Sequence, residues 1–164
     1  METKKLPKEI YKILVWKLKE YKYMQEEILD METEAFKTNK DFNSGIRSKY
    51  KKNDSIVNAI AKLNDNQRYL EMKAWQKVIS ELLEMYINDP AKLKFIQRRY
   101  INCALVHFKH KGVLKDSDVI KDLETDGYVY SEITWKRWKA EIIYNLYELV
   151  IKEKNLKKII NFTQ

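Results

Sequence analysis

Along most of this chain apolar residues recur at helical rather than strand spacing. After Pro7, the stretch KEIYKILVWKLKEYKYMQEEILDMETEAF sets Leu14, Leu18, Tyr21, Ile28 and Ala35 at steps of four, three and seven. That is the coiled-coil-like seam of a helix lying along a partner. Ile10, Ile13 and Met24 widen the stripe, while Gln25 and Glu32 interrupt it, so a strict two-stranded coiled coil is not predicted. Pro7 suits a first turn, where its missing N–H has no helical partner to lose.

From Thr38 to Asn53 the periodicity fades into TNKDFNSGIRSKYKKN, which reads as a basic loop. Asp54 or Ser55 is expected to cap a second helix. Ile56, Ile60, Leu63, Leu70, Ala74, Val78, Leu82 and Met85 would form its buried face nearly to Asn88. Two long helices and a loop predict a helical hairpin. Asn88-Asp89-Pro90 opens another helix, with Leu93, Ile96 and Tyr100 on one face and Arg98 and Arg99 off it. ALVHFKHKGVLK is the least regular stretch, ending at Gly112. Lys115-Asp116-Ser117-Asp118 caps a short helix bearing Val119, Ile120 and Leu123, and Gly127 breaks it. Ser131 caps the last helix, SEITWKRWKAEIIYNLYELVIKEKNL, in which Trp135, Trp138, Ile142, Leu146 and Leu149 form the apolar stripe.

Composition fits this all-α reading. Only three glycines and two prolines occur in 164 residues, too few for the tight turns of an all-β fold. The formal charge is +8. Residues 91–164 carry 15 Lys+Arg against 9 Asp+Glu, the most basic portion. Such an excess favours a polyanion, because neutralised phosphates release counterions. The single cysteine, Cys103, allows no internal disulfide. Neither a signal-like nor a membrane-spanning run is evident, so a cytoplasmic protein without membrane contact is expected.

A short capped helix, a turn and a longer basic helix follow the helix-turn-helix plan. Thr134, Lys136, Arg137, Ala140 and Glu141 should face outward between the buried positions. Arg137 could then grip guanine or phosphate through two hydrogen bonds, and Lys136 a phosphate. Backbone N–H groups near Ser131, Glu132 and Ile133 could hold another phosphate. Lys139, Arg98, Lys109, Lys111 and Lys115 complete the candidate DNA-contacting set. Lys49, Lys51 and Lys52 read more simply as a solvated charge run, and His107 with His110 lacks further metal ligands. Neither a phosphate-binding glycine loop nor a nucleophile or metallohydrolase motif is found, so no enzyme activity and no cofactor are expected.

SEITWKRWKAEIIYNL resembles the recognition helix in region 4 of bacterial sigma factors. Ser131, Thr134, Trp135, Lys136, Arg137, Trp138 and Leu146 stand in register with it. DPAKLKFIQRRYIN resembles the preceding helix, with Arg99-Tyr100 at the Arg-Tyr pair that closes it. With RYLEMKAWQKVISELLEMYINDPAKLKFIQRRYIN and the hairpin included, the whole chain resembles the RinA-type family of phage transcriptional activators. It departs from the sigma pattern in a longer turn between Leu123 and Ser131 and a longer connection, INCALVHFKHKGVLKDSD. The resemblance implies residues 1–88 as a long hairpin for association or partner contact. Residues 89–164 become a sigma-like helix-turn-helix domain. It also implies a sequence-specific activator of phage late or packaging genes, bound to double-stranded DNA and in contact with RNA polymerase. A homodimer is expected, since paired half-sites multiply a modest affinity. Two alternatives stay open: a small-terminase-like packaging component, and a sigma-like protein that binds polymerase without DNA.

Overall fold

The computed structural model describes residues 6–37, 51–102 and 115–161, with side chains throughout except at 51–55 and 158–161. Among the described residues the fold is all helical, without strands. The elements are α1 (Lys8–Lys37), α2 (Lys51–Asn64), α3 (Gln67–Met85), α4 (Pro90–Ile96), α5 (Asp116–Thr125), α6 (Glu132–Lys152) and α7 (Lys154–Asn161). A π-helical turn, Gln97–Ile101, continues α4. The expected Cys103, the two histidines, Gly112, Lys109, Lys111 and the loop around Lys49 lie outside the described residues.

The Pro7 carbonyl accepts the Tyr11 N–H at 3.0 Å, so Pro7 does open α1. Ile10, Leu14, Leu18, Tyr21, Met24 and Ile28 are buried, as the seam requires. Each such aliphatic side chain contributes about 1.5–3 kcal/mol on full burial. The polar seam position Glu32 becomes a cross-helix contact, accepting from the Tyr69 hydroxyl at 2.8 Å and from Lys73 at 3.4 Å. Burial, then that hydrogen bond, push the Tyr69 hydroxyl pKa up to about 12. Further back on α1, the Tyr21 hydroxyl pairs with Ser80 Oγ at 3.0 Å. Position therefore advances along α1 as it retreats along α3.

The second arm expected of a helical hairpin is not one helix. Asn66, with extended dihedrals of −85° and 102°, accepts the Tyr69 N–H on its side chain and starts α3 afresh. A cap of this kind satisfies an N–H that the break would otherwise orphan. α2 begins at Lys51, ahead of Asp54 and Ser55, so neither residue caps it. Ala59 and Leu63 are buried on α2, whereas Ile56 and Ile60 are exposed, and so is Met85 on α3. The break lets each short helix turn its own edge inward, which one continuous stripe could not do.

Asp89 caps α4 by accepting the Lys92 N–H at 3.2 Å, with Pro90 in the first turn. In the π turn the Asn102 N–H reaches back to the Gln97 carbonyl at 2.7 Å. The wider turn buries Tyr100 and Ile101 in succession and leaves Arg98 and Arg99 together toward α5. α6 also ends sooner than its pattern predicts. Glu153 is extended, its carboxylate held by Lys77 at 3.0 Å, and α7 then buries Leu156 completely.

One continuous core links Ile10, Trp75, Ile79, Phe95, Tyr100, Trp135, Ile142 and Leu156. It is unbroken across residue 88, where sequence places a domain boundary, because α3 packs along α6. No helix among the described residues is long and apolar enough to cross a membrane.

Candidate nucleic-acid interface

α5, a turn and α6 follow one another along the stretch where the sequence suggests a helix-turn-helix, and each joint has a local cause. At the start of α5 the Asp118 carboxylate accepts the Lys115 N–H at 3.1 Å. At its end Gly127 adopts φ +88°. The Tyr128 N–H meets the Leu123 carbonyl and the Gly127 N–H meets the Glu124 carbonyl, both at 2.9 Å. That pair of bonds is a Schellman closure, which needs a left-handed residue where Gly127 stands. The segment between the helices is thus a closed, bonded turn. Ser131 then caps α6: its Oγ accepts the Thr134 N–H at 3.3 Å and lies 3.0 Å from Thr134 Oγ1.

Aromatic packing fixes how α6 sits. Trp135 stacks on Phe95 of α4 with ring centroids 5.4 Å apart, and Trp138 meets Trp135 edge-on at 4.9 Å. Tyr130, from the turn, contacts both tryptophans at 5.5 and 4.8 Å. Such offset and edge contacts add to the burial energy of the rings. Ile142, Ile143, Leu146 and Val150 continue the buried side, with Leu149 only partly covered. Lower on α6, Glu141 accepts Lys92 at 2.8 Å and the Tyr86 hydroxyl at 3.2 Å, while Asn145 donates to that hydroxyl at 2.8 Å. Burial, then the Glu141 charge, raise the Tyr86 pKa well above the ordinary tyrosine value. Glu141 therefore ties α6 to α3 and α4 and does not stand free.

The outer side of α6 carries Ile133, Lys136, Arg137 and Ala140, at steps of three, one and three, all exposed. Arg137 has no ion-pair partner among the described residues. Lys136 pairs with Glu132 one turn earlier at 2.7 Å, both side chains largely in solvent. The Lys136 hydrogen bond and charge hold the Glu132 carboxyl below its usual pKa. Such an exposed pair is weak and can open when a stronger anion arrives. Ser131 is exposed and Thr134 half-buried at the cap.

Two sequence-predicted contacts serve the fold here. Arg98 donates to Asp126 at 2.7 Å, with Asp122 at 3.6 Å and Lys94 also on Asp126. Lys139 pairs with Asp116, which also accepts Arg99 Nε at 2.6 Å. Burial alone would raise the Asp116 pKa, but the Lys139 hydrogen bond and the Arg99 charge outweigh it and hold the carboxyl below its usual range. Three acids of α5 and its end thus brace the segment against α4 and α6. Lys115 is exposed at the head of α5.

Sequence reasoning used only the backbone of Ile133 and missed its side chain, which is 63% exposed, as well as the exposed Val129 and Tyr130 in the turn. Ile133 sits two residues before Trp135, off the buried stripe, and that spacing was the available signal. A groove of about 380 Å³ lies between α5 and α6, floored by Phe95, Ile120 and Trp135 and rimmed by Glu132, Lys136 and Lys139. Among the described residues no cluster of His, Cys, Asp or Glu could hold a metal ion.

No protein-family model matches the chain, and neither does any curated protein or solved structure.

Proposed function

We propose that this chain binds double-stranded DNA through the first half of α6 and acts as a transcriptional regulator. One observation carries the reading. A single exposed strip sets an ion-pair-free arginine beside a small alanine and an uncovered isoleucine, on a helix whose back is fastened by two tryptophans. A rigid helix with a cationic, sterically open strip suits the major groove. Arg137 supplies the bidentate donor for guanine O6 and N7, or for a phosphate. Ile133 lies against a thymine methyl, Ala140 allows close approach, and Lys136 exchanges Glu132 for a backbone phosphate. Lys115 adds a further phosphate contact, while Arg98 and Lys139 act from behind by holding the helices. The net charge of +8 supports the same partner. Its role as an activator of phage late or packaging genes belongs to this proposal and rests on the sigma-like and RinA-like residue pattern.

A gel-shift selection from random duplexes tests it. Arg137→Ala should cost about 1–3 kcal/mol at one base position. No binding to any duplex at low salt overturns the reading.

A second reading has its own support. Val129, Tyr130 and Ile133 leave apolar surface exposed in the turn and at the start of α6, which suits a protein partner such as RNA polymerase. Polymerase capture without DNA, lost on Ile133→Asp but not on Arg137→Ala, would favour it.

A further inference from the structure

The side of α1 turned away from the core is not an ordinary solvated face. Lys12, Trp16, Lys19, Tyr23, Glu26 and Asp30 follow one another at steps of four, three, four, three and four. That is heptad spacing, charged at four positions and aromatic at two, and it lies opposite the seam that builds the core. Trp16 is 62% exposed and Tyr23 45% exposed, large rings left substantially in solvent. Lys17, Glu20, Glu27 and Glu32 of α1 make ion pairs from other positions. Lys12, Lys19, Glu26 and Asp30 have no ion-pair partner among the described residues.

The order of charge along this seam selects its occupant. Between Lys12 and Asp30 the cations and Trp16 stand on its N-terminal half, Tyr23 and the acids on its C-terminal half, with Glu9 and Lys37 beyond its two ends. A parallel copy would set lysine against lysine and acid against acid. An antiparallel copy sets each half against its opposite. We infer that this face of α1 is a self-association seam, on which a second copy of the chain docks antiparallel about a two-fold axis.

In antiparallel seams each position of one kind packs against the alternate kind on the other helix. The layering centred near residue 21 then places Lys12 against Asp30 of the second copy and Trp16 against its Glu26. It also places Lys19 against the second copy's Tyr23. Every layer is attractive: an ion pair, an indole N–H facing a carboxylate, and a cation over a ring. The two-fold axis repeats each layer, so one surface satisfies itself, as a closed dimer requires. From Lys12 to Asp30 the seam runs about 27 Å at 1.5 Å per residue. This pairing stands apart from the DNA reading, and each can fail without the other.

Sedimentation equilibrium of the full chain, without DNA, tests it. The wild-type chain should dimerise in the micromolar range. Lys12→Glu and Asp30→Lys should each weaken the dimer at least about tenfold, since each sets like charges together twice per dimer. Mixing the two variants should restore a heterodimer, and the double variant should restore the homodimer. Circular dichroism should show unchanged helicity, since both positions are exposed. Three results overturn the proposal: a monomer at about 100 µM, a dimer indifferent to either reversal, or reversals that weaken the dimer without rescue on mixing.

Discussion

The Trp135 indole N–H donates to the Tyr130 backbone carbonyl across 3.1 Å, while the Tyr130 ring packs edge-on to the same indole. One side chain of α6 thereby fixes both the backbone and the ring of the turn before it. Trp135→Phe keeps an aromatic ring in the core but loses the donor and part of the volume. It should lower unfolding stability by about 2 kcal/mol in urea titration. Amide exchange should quicken at residues 128–131 beyond what the global loss accounts for. Equal acceleration everywhere would mean that the bond does not hold the turn.

Gly127 offers a separable test of the same turn. Its φ of +88° is strained for any residue with a side chain, yet a Cβ there would meet nothing within 4 Å. The cost of Gly127→Ala is therefore conformational alone, about 1–2 kcal/mol, and Gly127→Asn should cost less. Thermal unfolding of the three proteins should rank them Gly, Asn, Ala.

Asp116 gives the fold a pH dependence of known sign. Its carboxyl titrates below the ordinary value because Lys139 and Arg99 outweigh the effect of burial. A depressed folded pKa stabilises fully above the unfolded value of about 4 and is lost as pH falls through the folded one. Wild-type stability should therefore drop below about pH 4 more steeply than that of Asp116→Asn. At neutral pH the variant should be weaker by roughly 1 kcal/mol, since the cluster is partly wet. Parallel acid titrations of the two proteins would contradict this.

Lys139 and Arg137, two residues apart, should behave oppositely. Lys139→Met frees Asp116 of one partner and should lower stability while leaving affinity for DNA unchanged in the folded protein. Arg137→Ala touches nothing that holds the fold and should stay within about 0.5 kcal/mol of wild type in stability. Its effect should appear in binding. Urea titrations and gel shifts on both variants check the division.

The helices were legible wherever one local rule decided the matter. Asp89 with Pro90, Ser131 with Thr134, Gly127, and the Trp135–Trp138–Ile142–Leu146 stripe each declare themselves within a few residues. The division at Asn66 did not, because Leu63, Leu70, Ala74 and Val78 keep a helical rhythm across it; only the run Asn64-Asp65-Asn66 marked the cap. The roles of Arg98 and Lys139 were illegible for a different reason. Their acids lie 28 and 23 residues away in sequence, and local spacing carries no trace of such pairings. An outward lysine or arginine reads the same whether it awaits a phosphate or has already met an aspartate.

The ion pairs of Lys94 and Arg98 with Asp126 sit where α5 meets its turn. Added salt screens such exposed pairs as it screens phosphate contacts. On the DNA reading proposed above, a salt titration would therefore act on two bodies at once, the complex and the latch that holds the end of α5 to α4. Its logarithmic slope would overcount the phosphates neutralised. Loosening the latch by Asp126→Asn should flatten that slope without removing a single contact to the duplex.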